Sequence, residues 1–264
     1  MNAGQALHNA ARRYCIDQRR HWSEIYAQMP TGRVRGWSYS AKELDTFPRY
    51  NMLNAILVAV ETIDAESLDD FSAAKSLVLN AGGAADDDFT RNPLGDIDAA
   101  AQSDEREKFC DFVSSLTELD VWNYEELPYR RVLSPPESVR VWSALGSRWG
   151  IPAHSCWYPL SEASVPGVVA FRAGDFDESV PAPALKRKLR AVGIERVWEL
   201  RQHGPEYEED VELFNPSYNG AEGVWTSPGH EWVLYVSHES SVTVAGTLLS
   251  EIKRMWSKWE QHKW

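Results

Sequence analysis

The chain has 264 residues, a formal net charge of −12 and 43% hydrophobic residues, an ordinary composition for a globular protein. Its 12 Trp, 10 Tyr and 8 Phe exclude a disordered acidic chain, and no apolar run approaches the ~20 residues that span a bilayer. The first residues lack the basic start and apolar stretch of a signal peptide. Cys15, Cys110 and Cys156 form no CxxC pair, which argues against a disulfide framework and favours a reducing, cytoplasmic location.

The negative charge is concentrated in one part of the chain. Residues 61–120 carry four Lys/Arg against sixteen Asp/Glu, a net charge of −12, whereas residues 1–60 carry a net charge of +4. Ten of the twelve tryptophans follow residue 120. These two composition regimes predict two structural parts, a helical region over 1–120 and an α+β domain over 121–264.

The first part has the apolar spacing of helices. Ser40 and Glu43 form a capping-box pattern, in which the hydroxyl and the carboxylate satisfy free backbone N–H groups at a helix start. We expect Phe47-Pro48 to interrupt that helix, because proline lacks the N–H that a helix interior needs. Periodicity predicts further helices over 5–28, 50–63, 66–80 and 96–117.

The second part alternates strand and helix patterns. Ser134 and two prolines predict a helix that Gly150 ends, and further helices are expected over 181–193 and 247–262. The strand candidates 231–237 and 241–246 are three residues apart, which predicts a tight hairpin. The fold class is therefore α+β, with the N-terminal helical region followed by a mainly antiparallel sheet that has helices packed on one face. Strands are expected over 155–160, 167–172, 195–201, 231–237 and 241–246.

Polar side chains near the end of this sheet could form the active site of an enzyme. His238 and Glu239 lie in the predicted hairpin, and a histidine beside a carboxylate can act as a general base near neutral pH. Adjacent residues on extended backbone point to opposite faces, so contact between these two cannot be assumed. With Glu222 and Arg201 they define the alternative of a hydrolase-like enzyme with an unspecified substrate.

Three other groups have a functional and a structural interpretation. Trp225 and His230, in EGVWTSPGHEW, fit a recognition loop, and Trp225 fits a lid over the core equally well. Arg130 and Arg131, with Arg201, fit an anion site, although pairing with nearby carboxylates explains them better. His154 and Cys156 fit a nucleophile pair only if they are in contact, so a buried cysteine is the default.

Common metal and nucleotide motifs are absent from the sequence. No HxxxH or HExxH pattern, no glycine-punctuated calcium loop, no GxxxxGK[ST] and no GxGxxG occurs. The sequence therefore predicts no metal and no cofactor. The acidic net charge disfavours direct binding to nucleic acid, because phosphate binding needs basic surfaces.

The second part also resembles a set of small bacterial proteins. The resemblance lies in LPYRRVL, WYPL, IERVWEL, YNGAEGVWTS and WVLYVSHES, followed by a small-residue strand and a Trp-rich terminal helix. In general character these proteins are similar to immunity-type proteins of bacterial toxin loci, which are acidic, cytoplasmic α+β proteins. The resemblance implies a toxin inhibitor that acts by protein–protein binding. It covers roughly residues 120–264.

A binding protein is therefore the favoured function. An acidic surface attracts a basic protein partner, such as a toxin domain, and raises the rate of association. Affinity would come mainly from buried aromatic anchors. The acidic residues expected to contact the partner are Asp86, Asp87, Asp88, Asp104, Glu105, Glu107, Asp111, Glu206, Glu208, Glu209, Asp210 and Glu212.

Overall fold

A computed structural model describes residues 1–29, 39–157 and 167–264. The chain divides into two compact units, which we call the helical unit (Met1–Leu127) and the sheet unit (Pro128–Trp264). The boundary lies a few residues beyond the one at which the composition changes. Each unit has its own hydrophobic core.

The helical unit contains the helices that the apolar spacing predicts. Asn2 and Gln5 form a capping box at the start of the first helix, and Ser40 and Glu43 form one at the start of the second. The helices pack around fully buried side chains such as Ile56 and Phe109. Their bounds are α1 (Ala3–Ala27), α2 (Ala41–Glu61), α3 (Phe71–Ala84) and α4 (Asp96–Ser115).

Helix α2 runs through Pro48 without a break, so the predicted interruption at this residue is wrong. An interior proline removes one backbone hydrogen bond and costs a helix about 3 kcal/mol. Beyond it, α2 buries Met52, Leu53 and Ile56 completely. Burial of such a side chain contributes roughly 1.5–3 kcal/mol, so tertiary packing outweighs the local preference of proline.

Charged and titratable groups are also buried between α1 and α2. Arg12 Nε donates to Glu61 Oε1 at 3.0 Å, and both side chains are almost fully enclosed. One turn earlier in α1, His8 Nε2 lies 3.0 Å from the carbonyl oxygen of Val60. Burial lowers the pKa of His8 to about 4, so the ring is neutral at pH 7.

The sheet unit is built on seven antiparallel strands, in the order β1-β4-β3-β5-β6-β7-β2. The predicted hairpin is confirmed, since β6 and β7 are joined by a short turn and pair along their length. The strands are β1 (Arg130–Val132), β2 (Val168–Arg172), β3 (Arg196–Arg201), β4 (Tyr207–Asp210), β5 (Gly223–Thr226), β6 (Trp232–Val236) and β7 (Ser241–Gly246). The helices are α5 (Pro135–Trp149), α6 (Ala173–Ser179), α7 (Ala182–Ala191) and α8 (Thr247–Met255).

The α+β class is confirmed, but helices cover both faces of the sheet. Trp225 and Leu234 belong to the cluster formed with α6, α7 and α8, whereas their neighbours Val224 and Val233 belong to the cluster formed with α5. Consecutive strand residues point to opposite faces, so these clusters lie on opposite sides. The central strands are apolar on both faces and need cover on each.

Two strands were not predicted, and one prediction has no counterpart in the described residues. Strand β4 (Tyr207–Asp210) is acidic and lacks apolar alternation, but β1 places Arg130 opposite Glu209 and Arg131 opposite Glu208. Cross-strand charge pairs of this kind stabilise a polar strand. Strand β5 lies within the segment interpreted as a loop. The predicted strand 155–160 is irregular over 155–157, and its remainder lies outside the described residues.

Candidate functional site

Polar side chains from distant parts of the sequence meet at one end of the sheet. Strand β5 pairs with β3 on one side and with β6 on the other, both antiparallel. The end of β3, the start of β5 and the end of β6 are therefore neighbours, which brings Gln202, Glu222 and His238 together. The backbone N–H of Gln202 donates to the carbonyl oxygen of Glu222 at 3.0 Å and fixes two of these segments.

Glu222 and His238, both predicted as enzyme residues, are in direct contact. His238 Nδ1 forms a hydrogen bond with Glu222 Oε1. Glu222 is 3% exposed, and its other oxygen, Oε2, has no hydrogen-bond partner among the described residues. The His238 side chain is 48% exposed, so the pair extends from the interior to the surface.

Cys156 is the third member of this group. One ligand atom each from Cys156, Glu222 and His238 lies within 4.8 Å of the other two, and the described residues hold no other such group of three or more His, Cys, Asp or Glu. Gln202 Nε2 lies 3.8 Å from Cys156 Sγ, in hydrogen-bonding geometry. We call these four residues the sheet-end cluster. Its members can hold a metal ion, or place a thiol beside an imidazole–carboxylate pair.

The sequence did not indicate that Cys156 and Gln202 join this cluster. Cys156 was considered only with His154, but His154 Nδ1 lies 3.6 Å from Glu206 Oε1, and its ring packs on Trp142. The cluster forms through strand pairing over long sequence distances, so no local spacing reveals it.

Arg201 and Glu239 take other roles. Arg201 forms an ion pair with Glu199 at 2.7 Å, and its guanidinium lies 4.7 Å from the centre of the Trp225 ring. Glu239 is exposed and donates its backbone N–H to Ser237 Oγ at 3.2 Å, which closes the β6–β7 turn. Of the four residues in the enzyme alternative, the structure brings together Glu222 and His238.

Trp225 lies in a strand and in the core, not on a loop. It is fully buried in β5, and Phe214 packs edge-on against its ring. His230 packs on Trp198 with ring centres 5.1 Å apart, and burial lowers its pKa. The aromatic residue that the sequence offered as a loop anchor therefore stabilises the sheet. All four residues of β5 are buried, and this could not be read from a segment that contains so many turn-forming residues.

Arg130 and Arg131 have carboxylate partners within the sheet unit. Arg131 contacts Glu137 and Glu208, each at 2.9 Å, and these bonds raise its pKa. Arg130 lies over the Tyr207 ring and 3.3 Å from Glu209. This is the pairing that the sequence analysis favoured over an anion site.

The acidic residues of 206–212 are largely occupied by internal contacts. Glu206 is buried and accepts a hydrogen bond from Trp142 Nε1 at 2.5 Å. Glu209 is also buried, and its burial, together with the charge of Glu199, raises its pKa to about 8. The remaining contacts are Glu208 with Arg131, Asp210 with the backbone N–H of Tyr129, and Glu212 with Arg190. Few of these carboxylates are left without a contact inside the sheet unit.

Helix α4 shows the same division between enclosed and exposed carboxylates. Glu105 is buried and lies 3.3 Å from Arg49, while Asp104 contacts both Arg49 and Lys108. Of the four carboxylates predicted to contact a partner on this helix, Glu107 and Asp111 are exposed, Asp104 is half-exposed and ion-paired, and Glu105 is buried.

The segment 86–91, which we call the acidic turn, is closed by its own side chains. Asp87 Oδ1 accepts the backbone N–H groups of Phe89 and Thr90 at 2.9 and 3.0 Å. Thr90 Oγ1 donates to Asp86 Oδ1 at 2.9 Å, and Arg91 bridges to Asp86 at 3.2 Å. Asp86 and Asp87 therefore shape the turn.

An aromatic side chain projects from this turn. Phe89 is 74% exposed, and the neighbouring Asp88 side chain is 91% exposed. Leu94 and Ile97, which follow closely in sequence, are also exposed. Contiguous exposed apolar patches mark contact surfaces, whereas single exposed apolar side chains are common on any protein surface. The sequence predicts the aspartates of this segment as contact residues but does not predict Phe89, because exposure cannot be read from one aromatic residue in a polar segment.

Comparison with known proteins gives no match to a family model, a curated protein or a solved structure. Within the described ranges, none of the helices combines the length and apolar character that crossing a bilayer requires. The acidic turn and the sheet-end cluster are the two candidate functional features of the described residues.

Proposed function

We propose that the protein is an acidic binding protein, an immunity-type inhibitor that neutralises a basic partner such as a toxin domain by binding to it. The observation that carries this proposal is the acidic turn, which holds Phe89 exposed beside the carboxylate of Asp88. The resemblance of the sheet unit to immunity-type proteins supports the same class.

The acidic turn is preorganised for binding. Hydrogen bonds to Asp87 fix the backbone on which Phe89 stands, so binding orders little additional chain. An aromatic side chain that enters a pocket of the partner is a typical hot spot, and its truncation costs 2 kcal/mol or more, which is about 30-fold in affinity. Asp88 adds long-range attraction to a basic surface.

This proposal assigns the contact to the helical unit. The carboxylates of 206–212 are paired or buried within the sheet unit, and Glu105 of α4 is buried beside Arg49. Glu107 and Asp111 remain open and belong to the same unit as the acidic turn. We therefore expect a partner to recognise the helical unit.

The test is affinity capture from the source cells with the full chain as bait. Wild type, Phe89→Ala, Asp88→Lys and the control Leu119→Ala are compared by quantitative mass spectrometry. Leu119 is 82% exposed in the same unit but lies outside the acidic turn. We expect a basic protein that is enriched by wild type and Leu119→Ala and depleted with the other two variants.

A growth assay then tests inhibition. The captured protein is expressed with wild type or with Phe89→Ala, and only wild type should restore growth. Equal capture by Phe89→Ala and wild type, or a captured protein without toxicity, would contradict the proposal.

The sheet-end cluster favours a second candidate, a hydrolase-like enzyme. Its support is the convergence of Glu222, His238 and Cys156 at a site that reaches the surface. The test is hydrolysis of a panel of ester, amide and phosphoester substrates by wild type and by His238→Gln. Activity that His238→Gln abolishes supports the enzyme, and identical rates for the two proteins contradict it.

A further inference from the structure

The sheet-end cluster has the donor atoms of a metal site at nearly the required spacing. A tetrahedral zinc ion with bonds of ~2.0–2.3 Å holds its donor atoms about 3.3–3.8 Å apart. The donor atoms of Cys156, Glu222 and His238 lie within 4.8 Å of one another. Side-chain movements on the order of 1 Å would bring them to that spacing.

Glu222 supplies an independent indication of a cation. The residue is 3% exposed, and Oε2 has no hydrogen-bond partner among the described residues. A buried carboxylate oxygen without a partner is costly, because it has lost water and gained nothing in return. A cation held between the three side chains would satisfy this oxygen or its neighbour.

The surrounding backbone is already fixed. The backbone N–H of Gln202 donates to the carbonyl oxygen of Glu222 at 3.0 Å. The turn that carries His238 is closed by a bond from the Ser237 N–H to the Ser241 carbonyl at 3.0 Å, and by contact of their hydroxyl groups at 2.8 Å. Two of the three donors therefore stand on ordered strand ends, which favours metal binding because little chain must be ordered.

Gln202 also provides a contact of the kind that supports metal ligands. Its side-chain Nε2 lies 3.8 Å from Cys156 Sγ. A hydrogen bond to a thiolate stabilises its negative charge and orients it toward the metal.

We propose that Cys156, Glu222 and His238 form a binding site for a divalent transition metal of the zinc type. Thiolate, imidazole and carboxylate together suit zinc, whereas calcium and magnesium prefer oxygen donors alone. Binding replaces the hydrogen bond between His238 Nδ1 and Glu222 Oε1 with two metal bonds. The proton of that hydrogen bond moves to His238 Nε2 or leaves to solvent, and the Cys156 thiol releases its proton to solvent. Three protein ligands leave a fourth position for water or another ligand.

This site is independent of partner binding by the acidic turn. It is the centre that the enzyme candidate would use, since a metal-bound water is a nucleophile near neutral pH. The test below measures occupancy and not activity. A failure of the metal site and a failure of the enzyme candidate are therefore distinguishable.

The experiment titrates the reduced, chelator-treated full chain with Zn²⁺ and with Co²⁺. We expect one equivalent of each to bind, a rise in the melting temperature, and a near-ultraviolet thiolate-to-cobalt charge-transfer band. Cys156→Ser should abolish the band, and His238→Gln should lower zinc affinity by more than ~100-fold, beyond the ~10–100-fold expected for an outer contact such as Gln202→Ala.

Cys110→Ser is the matched control, because Cys110 is also a free, partly buried cysteine but lies in the helical unit. It should bind both metals as wild type does. His238→Gln should keep the fold, because that side chain is 48% exposed, so its loss of zinc affinity reports on the site itself. Absence of stoichiometric binding by wild type, survival of the band in Cys156→Ser, or unchanged zinc affinity in His238→Gln would each overturn the proposal.

Discussion

The two units use their carboxylates differently. In the sheet unit, Glu206 and Glu209 are buried and contact other side chains, so these carboxyl groups contribute to internal structure. In the helical unit, Asp88, Glu107 and Asp111 are exposed, while Asp86 and Asp87 shape a turn that displays Phe89. An acidic stretch of sequence therefore serves internal structure in one unit and leaves carboxylates exposed to solvent in the other.

The largest expected difference lies between two aromatic residues. Trp225→Ala should destabilise the protein by about 3–5 kcal/mol, because it empties a fully packed position in the sheet unit. Phe89→Ala should change stability by less than about 0.5 kcal/mol, because the side chain is mainly in water. Denaturant unfolding followed by circular dichroism measures both changes. Equal losses in the free energy of unfolding would contradict the assignment of Trp225 to the core and of Phe89 to the surface.

The second prediction concerns acid stability in the helical unit. The folded state lowers the pKa of His8 from 6.5 to about 4, so the unfolded chain takes up a proton first as the pH falls. The His8 contribution is present above pH 6.5 and is lost as the pH falls toward 4, a change of about 3 kcal/mol. The difference in the free energy of unfolding between wild type and His8→Gln, measured at pH 7, 5.5 and 4, isolates the His8 contribution. A constant difference between the two proteins across this range would contradict the assignment.

Glu209 should have the opposite pH dependence in the sheet unit. The folded state raises its pKa from 4.5 to about 8, so the folded protein keeps a proton that the unfolded chain releases. Its contribution is fully present below pH 4.5 and is lost as the pH rises through 8. Relative to wild type, Glu209→Gln should become more stable as the pH rises from 5 to 9. A difference that does not move with pH would show that Glu209 ionises normally.

The smallest expected difference separates two adjacent aspartates. Asp87→Ala should cost about 1 kcal/mol, because it removes the acceptor for two backbone N–H groups of the acidic turn. Asp88→Ala should cost less than about 0.5 kcal/mol, since an exposed ion pair contributes little. Amide hydrogen exchange at Phe89 and Thr90 should accelerate in the first variant only. Equal exchange in both would mean that Asp87 does not hold the turn.

Much of the fold follows from local patterns. The helices α1, α3 and α4 and the β6–β7 hairpin are predicted by apolar spacing, caps and turn length. Two features required tertiary information. Pro48 lies within a continuous helix because packing outweighs its local cost, and β4 is a strand because β1 supplies the opposite charges.

The candidate site was less predictable. Glu222 and His238 could be named as polar residues near the sheet end, but their contact depends on the pairing of β5 with β6. Cys156 approaches from a segment with no regular structure, so neither periodicity nor motif spacing places it there. Phe89 was missed for a related reason, because its exposure is decided by hydrogen bonds of the turn.

The acidic turn is the proposed contact surface for a basic partner. The most direct measurement is the dissociation constant of the captured partner for wild type, Phe89→Ala and Leu119→Ala, determined by calorimetry on folded proteins. A weakening of about 30-fold or more for Phe89→Ala, with Leu119→Ala equal to wild type, is the predicted result. Equal dissociation constants for all three proteins would contradict the claim.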